Sequence, residues 1–335
     1  EARTQIDNEK ECMSLARAQK YAEAIAVADA AIVEYPRATL VRYCKMSVLA
    51  AQKSPDAVML AAANEILAID AHSKIALGVA ADAQQKLGNV EEANNFLIRL
   101  LATNPQDAAL ANKVVDALAA SRKYDVAKTV VLQAVQDNPG DLDLIGLQFR
   151  ILAAAGDYKP ALKTGEEMVQ MDTSLANAVY FNRMVALYAA DSQPQKAAEA
   201  AARATQKFPA DADLWQLYAQ VLKKAGQVQQ SIAASRRALE VNPKIPNGWT
   251  QIAVAYNELN FPDSALVALR EAKNAGDDAN QVGGFAMSIG NKLYKDAMAL
   301  EPKQAAPFLV PMPYLHFADS TITDVATKAQ ASFLI

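Results

Sequence analysis

The sequence predicts an all-α chain built from stacked pairs of antiparallel helices, and three observations carry that expectation. The composition is rich in alanine and poor in glycine, with 12 Gly in 335 residues, 52% hydrophobic residues and 7% aromatics. Alanine has the highest intrinsic helix propensity, so such a chain favours closely packed helices. Prolines that close apolar-periodic helices recur at a fixed interval: Pro105 to Pro139 and Pro209 to Pro243 are each steps of 34 residues. Glycines recur in the same phase, with Gly88, Gly156 and Gly226 at the bend between the two helices of a pair.

Smaller signals keep that phase. The gap from Pro139 to Pro209 is 70 residues, two periods plus two, and Thr173 holds the intermediate place. Val90, Tyr158 and Val228 follow the glycines by two residues, and Ala93, Ala161 and Ser231 come three later. Small-then-apolar pairs such as Ala134-Val135 and Ala238-Leu239 sit near the end of the second helix. Each residue type has a physical reason. Glycine supplies the backbone freedom of a helix C-terminal turn. Proline stops the second helix and can open the next unit. Small residues let helices approach closely, and each pair leaves an apolar face that only the next pair can bury.

The stretch from Leu214 to Pro243 carries Trp215, Ala219, Leu222, Gly226, Ser231, Ala238 and Pro243 in these places. The next unit carries Trp249, Ala253, Tyr256, Ala265 and Ala272, with Asn260 in place of the turn glycine and Asp277 in place of the proline. The first carries Tyr21, Ala24, Ala31 and Pro36, with Cys12 at a small-residue place. On these residues the chain resembles the tetratricopeptide repeat family. Eight units begin near residues 5, 40, 74, 108, 142, 176, 212 and 246, so residues 1–279 are expected to form the repeat array. The unit near 40 departs most, with Met59 where Ala is usual. The resemblance implies a right-handed α-solenoid with first helices on a concave face and second helices on a convex one.

Residues 280–335 read as an irregular closing segment, since arrays need a cap. Phe285, Ile289, Leu293 and Met298 are spaced as one helix face, and Gly283, Gly284 and Gly290 mark close packing within it. Four prolines over 302–313 exclude a regular helix there. Tyr314 to Ile335 reads as a short helix, a turn around Thr321 to Thr323 and a further helix.

Most familiar chemistry is missing from the sequence. The formal charge of −4 is mild and both signs are interspersed, so nucleic acid is not an expected partner. No apolar run reaches the roughly 18 residues of a membrane span. No HExxH, GxSxG, Walker-type or dinucleotide motif occurs. The histidines are His72, expected in a solvated loop, and His316. Glu91 and Glu92 are adjacent at a helix start, where the dipole favours them. Cys12 and Cys44 are too few for a closed zinc site. They read as small buried side chains, or else as a disulfide between neighbouring helices, which would suggest an oxidising compartment. No enzyme activity, cofactor or metal is expected. The chain begins at Glu1 without Met, and an exported location, periplasmic or cell-surface, is slightly favoured over the cytoplasm.

Carrying the family register across places Asp82, Gln85, Asn112, Asp116, Arg150, Gln216, Gln220, Lys223, Thr250 and Asn257 on the concave face. These side chains can hydrogen-bond an extended peptide, and Asp82 and Asp116 would repel a carboxylate. The outward second-helix positions of the first two units are apolar: Ala22, Ala26, Val27, Ala30 and Val33, then Ala57, Val58, Ala61, Ala62, Ala68 and Ile69. The equivalent positions of the sixth unit are Gln195, Lys196, Glu199, Arg203, Gln206 and Lys207. Ile6, Met13, Val41, Cys44 and Val48 make the first helices of that end apolar as well. Contiguous apolar surface usually marks a contact. The expectation is a non-catalytic scaffold for protein or peptide partners. The alternative is a structural subunit whose apolar ends associate head to tail into a ring or filament.

Overall fold

The computed structural model describes residues 4–299, 310–324 and 327–328, and among these the chain is wholly helical, with no strand. Ten helices come first: α1 (Gln5–Arg17), α2 (Tyr21–Glu34), α3 (Thr39–Ala51), α4 (Asp56–Leu67), α5 (Lys74–Lys86), α6 (Val90–Ala102), α7 (Ala108–Ala120), α8 (Tyr124–Asp137), α9 (Leu142–Ala155) and α10 (Tyr158–Met171). They are followed by α11 (Ala178–Ala190), α12 (Pro194–Lys207), α13 (Ala212–Lys224), α14 (Val228–Val241), α15 (Gly248–Glu258), α16 (Pro262–Ala275), α17 (Ala279–Met298) and α18 (Met312–Thr321). The fold class is an all-α solenoid of helix-pair repeats. The chain divides into two compact units, 1–164 and 165–335, and the division falls inside α10.

The helix starts follow local chemistry. Asp107, Asp141 and Asp211 stand two residues after Pro105, Pro139 and Pro209, and each accepts a backbone N–H from the first turn of α7, α9 or α13. Ser73 and Asn177 do the same for α5 and α11. Such a cap contributes about 1 kcal/mol by satisfying an orphan donor. The second helices α2, α6, α8 and α14 lack a side-chain cap. They emerge from a tight left-handed turn instead. Gly88, Gly156 and Gly226 have φ of 81°, 83° and 79°, and the matching positions in other pairs are Gln19, Lys53, Arg122, Ser192 and Asn260, all at φ between 53° and 61°. The backbone therefore keeps its turn where the glycine is gone. The longest step runs from Gly156 to Ser192, and it contains the short 3-10 turn Thr173–Leu175 that takes up the two extra residues.

Each unit is held by successive interlocking cores. In the first, Cys12, Ala24, Ala28, Cys44 and Val48 cluster across α1 to α3, and Ala111, Val114, Leu118, Val131, Leu144 and Ile151 cluster across α7 to α9. Alanine at the contacts lets the backbones approach, and leucine, isoleucine and valine fill the space between turns. Cys12 and Cys44 form a disulfide joining α1 to α3. Cys44 and Val48, expected on the concave surface, belong to this core instead, and Val41 is buried beside it with Ala31 and Ala38. The side of α3 that carries these residues meets α1 and α2, so its apolar pattern marks that contact.

In the second unit, one core runs from Ile232 through Ile252, Leu269, Val282 and Ile289 to Tyr314 and Ile322. Helix α18 lies against α17 where that helix has glycine. A Cβ on Gly283 would come 2.5 Å from Ile322 Cγ1, and one on Gly290 would come 2.9 Å from Leu315 Cδ2. Gly284 faces open space and does not take part. The buried side of α17 is Val282, Ala286, Ile289 and Ala297; of the expected stripe, Ile289 is buried and Phe285 and Leu293 pack against this core, whereas Met298 is exposed. Tyr314 donates its hydroxyl proton to the Pro262 carbonyl, and Lys273 Nζ reaches the Ser320 carbonyl at 3.2 Å. Burial pushes the Tyr314 phenol up to about 12, with Asp263 adding to the shift. Most of the proline-rich stretch and of the expected final helix lies outside the described residues. No described helix is long and apolar enough to cross a membrane.

Candidate partner-binding site

The polar first-helix residues of the first unit are mostly used up by one another. Asp82 of α5 pairs with Lys113 of α7 at 3.5 Å, and Asp116 of α7 pairs with Arg150 of α9. Asn112 donates to the carbonyl of Ala108 one turn back. Gln85 is exposed. Spacings of 31 and 34 residues bring these partners together because equivalent positions of successive first helices lie side by side. Exposed pairs of this kind contribute roughly 0–1 kcal/mol, so they hold the face without strongly resisting a competitor. On the second-helix side, Lys123 bonds Glu91 at 2.6 Å and holds that carboxylate below its ordinary range. The dipole reading of Glu91 thus omits its main partner, which lies on the next pair.

The second unit differs. Gln216 donates to the Pro246 carbonyl at 2.6 Å and Lys223 pairs with Glu258 at 3.3 Å. Asp277 accepts the Asn247 N–H at 3.1 Å and the Thr250 hydroxyl at 2.7 Å, tying the start of α15 to the segment after α16. Asn257 is half-buried on α15. Between α13, α14, α15 and the first turn of α17 lies a cavity of about 370 Å³. Gln220, Lys223, Asn247, Thr250, Gln251 and Gln281 reach it from the helices, with Ser231 and Ser235 on α14 behind them. The cavity exists because α14 presents Ser231 and Ser235, and α13 presents Ala219, where larger side chains would fill the space.

The structure therefore brings together Gln220, Lys223 and Thr250 of the expected face. Gln216 and Asn257 lie on the same helices, α13 and α15, outside the cavity lining, and the other expected residues lie on α5, α7 and α9. Sequence reasoning passed over Asn247, Gln251, Ser235 and Gln281. The serines at 231 and 235, one helical turn apart, were the available signal for a gap. Gln281 had none, because α17 follows no repeat register.

On the second-helix side of the first unit, Ala26, Ala30 and Ala61 are exposed, and Val33 and Val58 are 82% and 41% exposed. Val27 and Ile69 are half-buried. Ala62 is in the core with Met46, Ala63 and Ile66, so it is removed from the expected face: it points toward α3 and α5. Ile6 and Met13 are exposed on α1.

Residues 212–245, covering α13 and α14, match a family model described as tetratricopeptide repeat. Nothing among curated protein sequences matches the chain. Solved structures share its fold, and two of them are as follows. The structure of Naa15/Naa10 bound to HypK-THB aligns with a TM-score of 0.65 at 14% identity, covering 98% of this chain and 51% of the other. This chain thus spans about half the length of that protein. The C-terminal part of a TPR repeat-containing protein from Cytophaga hutchinsonii aligns with a TM-score of 0.53 at 13% identity, covering 75% of this chain and 97% of the other.

Proposed function

We propose, from the premise that the chain is a tetratricopeptide-repeat protein, that it is a non-catalytic scaffold whose first-helix face binds a peptide segment. Its apolar second-helix face near the N-terminus would engage a further protein surface. The repeats themselves support a scaffold for protein interactions. The observation that carries the finer reading is the contrast between copies. Repeat-defining residues such as Ala219, Leu222 and Ala238 are buried in every sense that matters for packing, at 3%, 1% and 0% exposure. What differs from copy to copy is the exposed side. There α2 and α4 offer alanine and valine, while α12 offers Gln195, Lys196, Glu199 and Arg203. A packed repeat explains the first set and leaves the second to a partner.

The division into eight repeats up to residue 279, with a closing segment from 280, belongs to this proposal. It is supported by first helices that begin at Gln5, Thr39, Lys74, Ala108, Leu142, Ala178, Ala212 and Gly248. The disulfide favours an oxidising compartment, in keeping with an exported scaffold. The N-terminal face is tested by Ala30→Glu with Val58→Glu, both at exposed positions that leave the core intact. Light scattering should show loss of an assembly, or affinity capture should show loss of a partner, with the helical signal unchanged. An unchanged mass together with unchanged capture would remove this face from the proposal.

A further inference from the structure

A second cavity of the same unit, of about 260 Å³, opens on the opposite face of α15 from the first and shares no lining residue with it. Trp249, Ile252 and Tyr256 line it from α15, Arg236 reaches it from α14, and Asp263 and the exposed Val267 reach it from α16. The Tyr256 oxygen accepts a hydrogen bond from Arg236 at 3.0 Å, which leaves the phenol proton free to donate. The Trp249 indole N–H makes no hydrogen bond among the described residues. The equivalent places in the two preceding repeats are closed. Phe181 and Tyr188 are buried there, and the Tyr188 hydroxyl donates to Glu166. In the next copy the Trp215 indole donates to the Pro209 carbonyl at 2.9 Å, and Leu222 is buried. Packing of the repeat therefore does not account for two half-exposed aromatic rings with unused donors at Trp249 and Tyr256.

The spacing says which ligand fits. Trp249 and Tyr256 stand seven residues apart on one helix, a rise of about 10.5 Å. A polyproline II strand advances about 9.3 Å per three-residue turn and makes no internal hydrogen bonds. Prolines at i and i+3 therefore meet successive aromatic rings, and the free carbonyls of that strand accept from the indole and the phenol. The two residues between the prolines project toward the walls. There Arg236 and Asp263 carry opposite charges, and neither has an ion-pair partner among the described residues. A sugar ring also stacks on aromatic side chains, but Ile252, Val267 and Ala268 would leave most of its hydroxyls unpaired. We infer that this cavity docks a Pro-x-x-Pro segment of a partner protein, with one acidic and one basic residue between the prolines. The site lies on the second-helix side, so it is additional to the first-helix face and to the apolar N-terminal face.

The test adds end-capped peptides carrying Pro-Lys-Glu-Pro or Pro-Glu-Lys-Pro to the full chain, with alanine-for-proline versions as controls. Calorimetry on the unaltered protein supplies the affinities. In a Trp215→Phe background Trp249 is the remaining tryptophan, so its emission reports on the cavity itself. The expected result is a saturable shift of that emission with at least one proline peptide and none with the alanine controls. Val267→Glu, at an exposed position, puts an unpaired carboxylate in the cavity and should weaken binding at least about tenfold. Tyr256→Phe removes one donor and should weaken it about three- to tenfold. Equal binding of the alanine controls, or proline-peptide binding that both variants leave unchanged, would overturn the assignment. A Trp249 shift with cello- or chito-oligosaccharides and none with any proline peptide would overturn it too, as would no binding by any of these probes. Salt dependence that Asp263→Asn leaves unchanged would overturn the placing of the charged residues. Each of these failures leaves the first-helix face and the N-terminal face to their own tests.

Discussion

At the residue scale, the account rests on a few positions where chemistry decides local structure. Cys12 and Cys44 close a loop with a sequence separation of 32 residues. A cross-link of that length restricts the unfolded chain by an amount worth about 3–4 kcal/mol. Cys12→Ser with Cys44→Ser should therefore shift the urea midpoint of the first unit downward by that stability, and reductant should reproduce the shift in the wild type alone. Tyr188 is a second such position. Its hydroxyl donates to Glu166 at 2.8 Å, and burial, helped by that carboxylate, raises its phenol to about 12. Because the folded value lies above the unfolded one, the contribution is complete below pH 10 and is lost as pH rises toward 12. Alkaline titration of tyrosinate absorbance should show a late-ionising fraction that shrinks in Tyr188→Phe. Neither position was fully legible in the sequence. Two cysteines on different helices allow burial or bonding equally, and the Tyr188–Glu166 contact joins helices whose facing sides no single-helix pattern fixes.

At the scale of the element, turns and caps explain how a degenerate repeat keeps one backbone. Lys53 and Arg122 hold left-handed conformations at φ 53° and 57° that L side chains adopt at a cost of roughly 1–2 kcal/mol. Glycine there relieves the strain but adds unfolded-state freedom. Lys53→Gly or Arg122→Gly should raise stability by up to about 1 kcal/mol, and Gly156→Ala should lower it by a similar amount, read from urea midpoints. In α17 two effects oppose each other. Gly283→Ala gains up to about 1 kcal/mol of helix propensity. It also forces a Cβ to within 2.5 Å of Ile322 Cγ1 and 3.2 Å of the Ile322 backbone nitrogen. Overpacking of that kind costs about 1–3 kcal/mol and wins, so α18 should exchange its amide hydrogens faster in the variant. Faster exchange confined to α17 would contradict this. The glycine and proline places were readable because they are tied to backbone geometry. The buried face of α3 was not, because Leu40, Val41, Cys44, Met46, Val48 and Leu49 put apolar residues around much of the helix and either of two adjacent stripes fits.

For the whole molecule, the repeat was legible and the specialisation was less so. Periodic signals such as Gly88, Gly156 and Gly226 accumulate over many copies, so one degenerate unit does little harm. The binding surface has no such redundancy. Asp82, Asp116 and Arg150 look like ligand-facing residues in their own helices, and only the neighbouring helices reveal them as pairs. Gln281 comes to the cavity from a helix outside the repeat. The proposed function accordingly rests on exposed positions that vary between copies and are left unpaired by the fold. Hydrogen–deuterium exchange of the full chain with and without a peptide selected from a displayed, proline-free random library tests that most directly. Protection concentrated in α13, α15 and the first turn of α17 is the predicted result. Protection confined to the ion-paired first helices α5, α7 and α9 would contradict it.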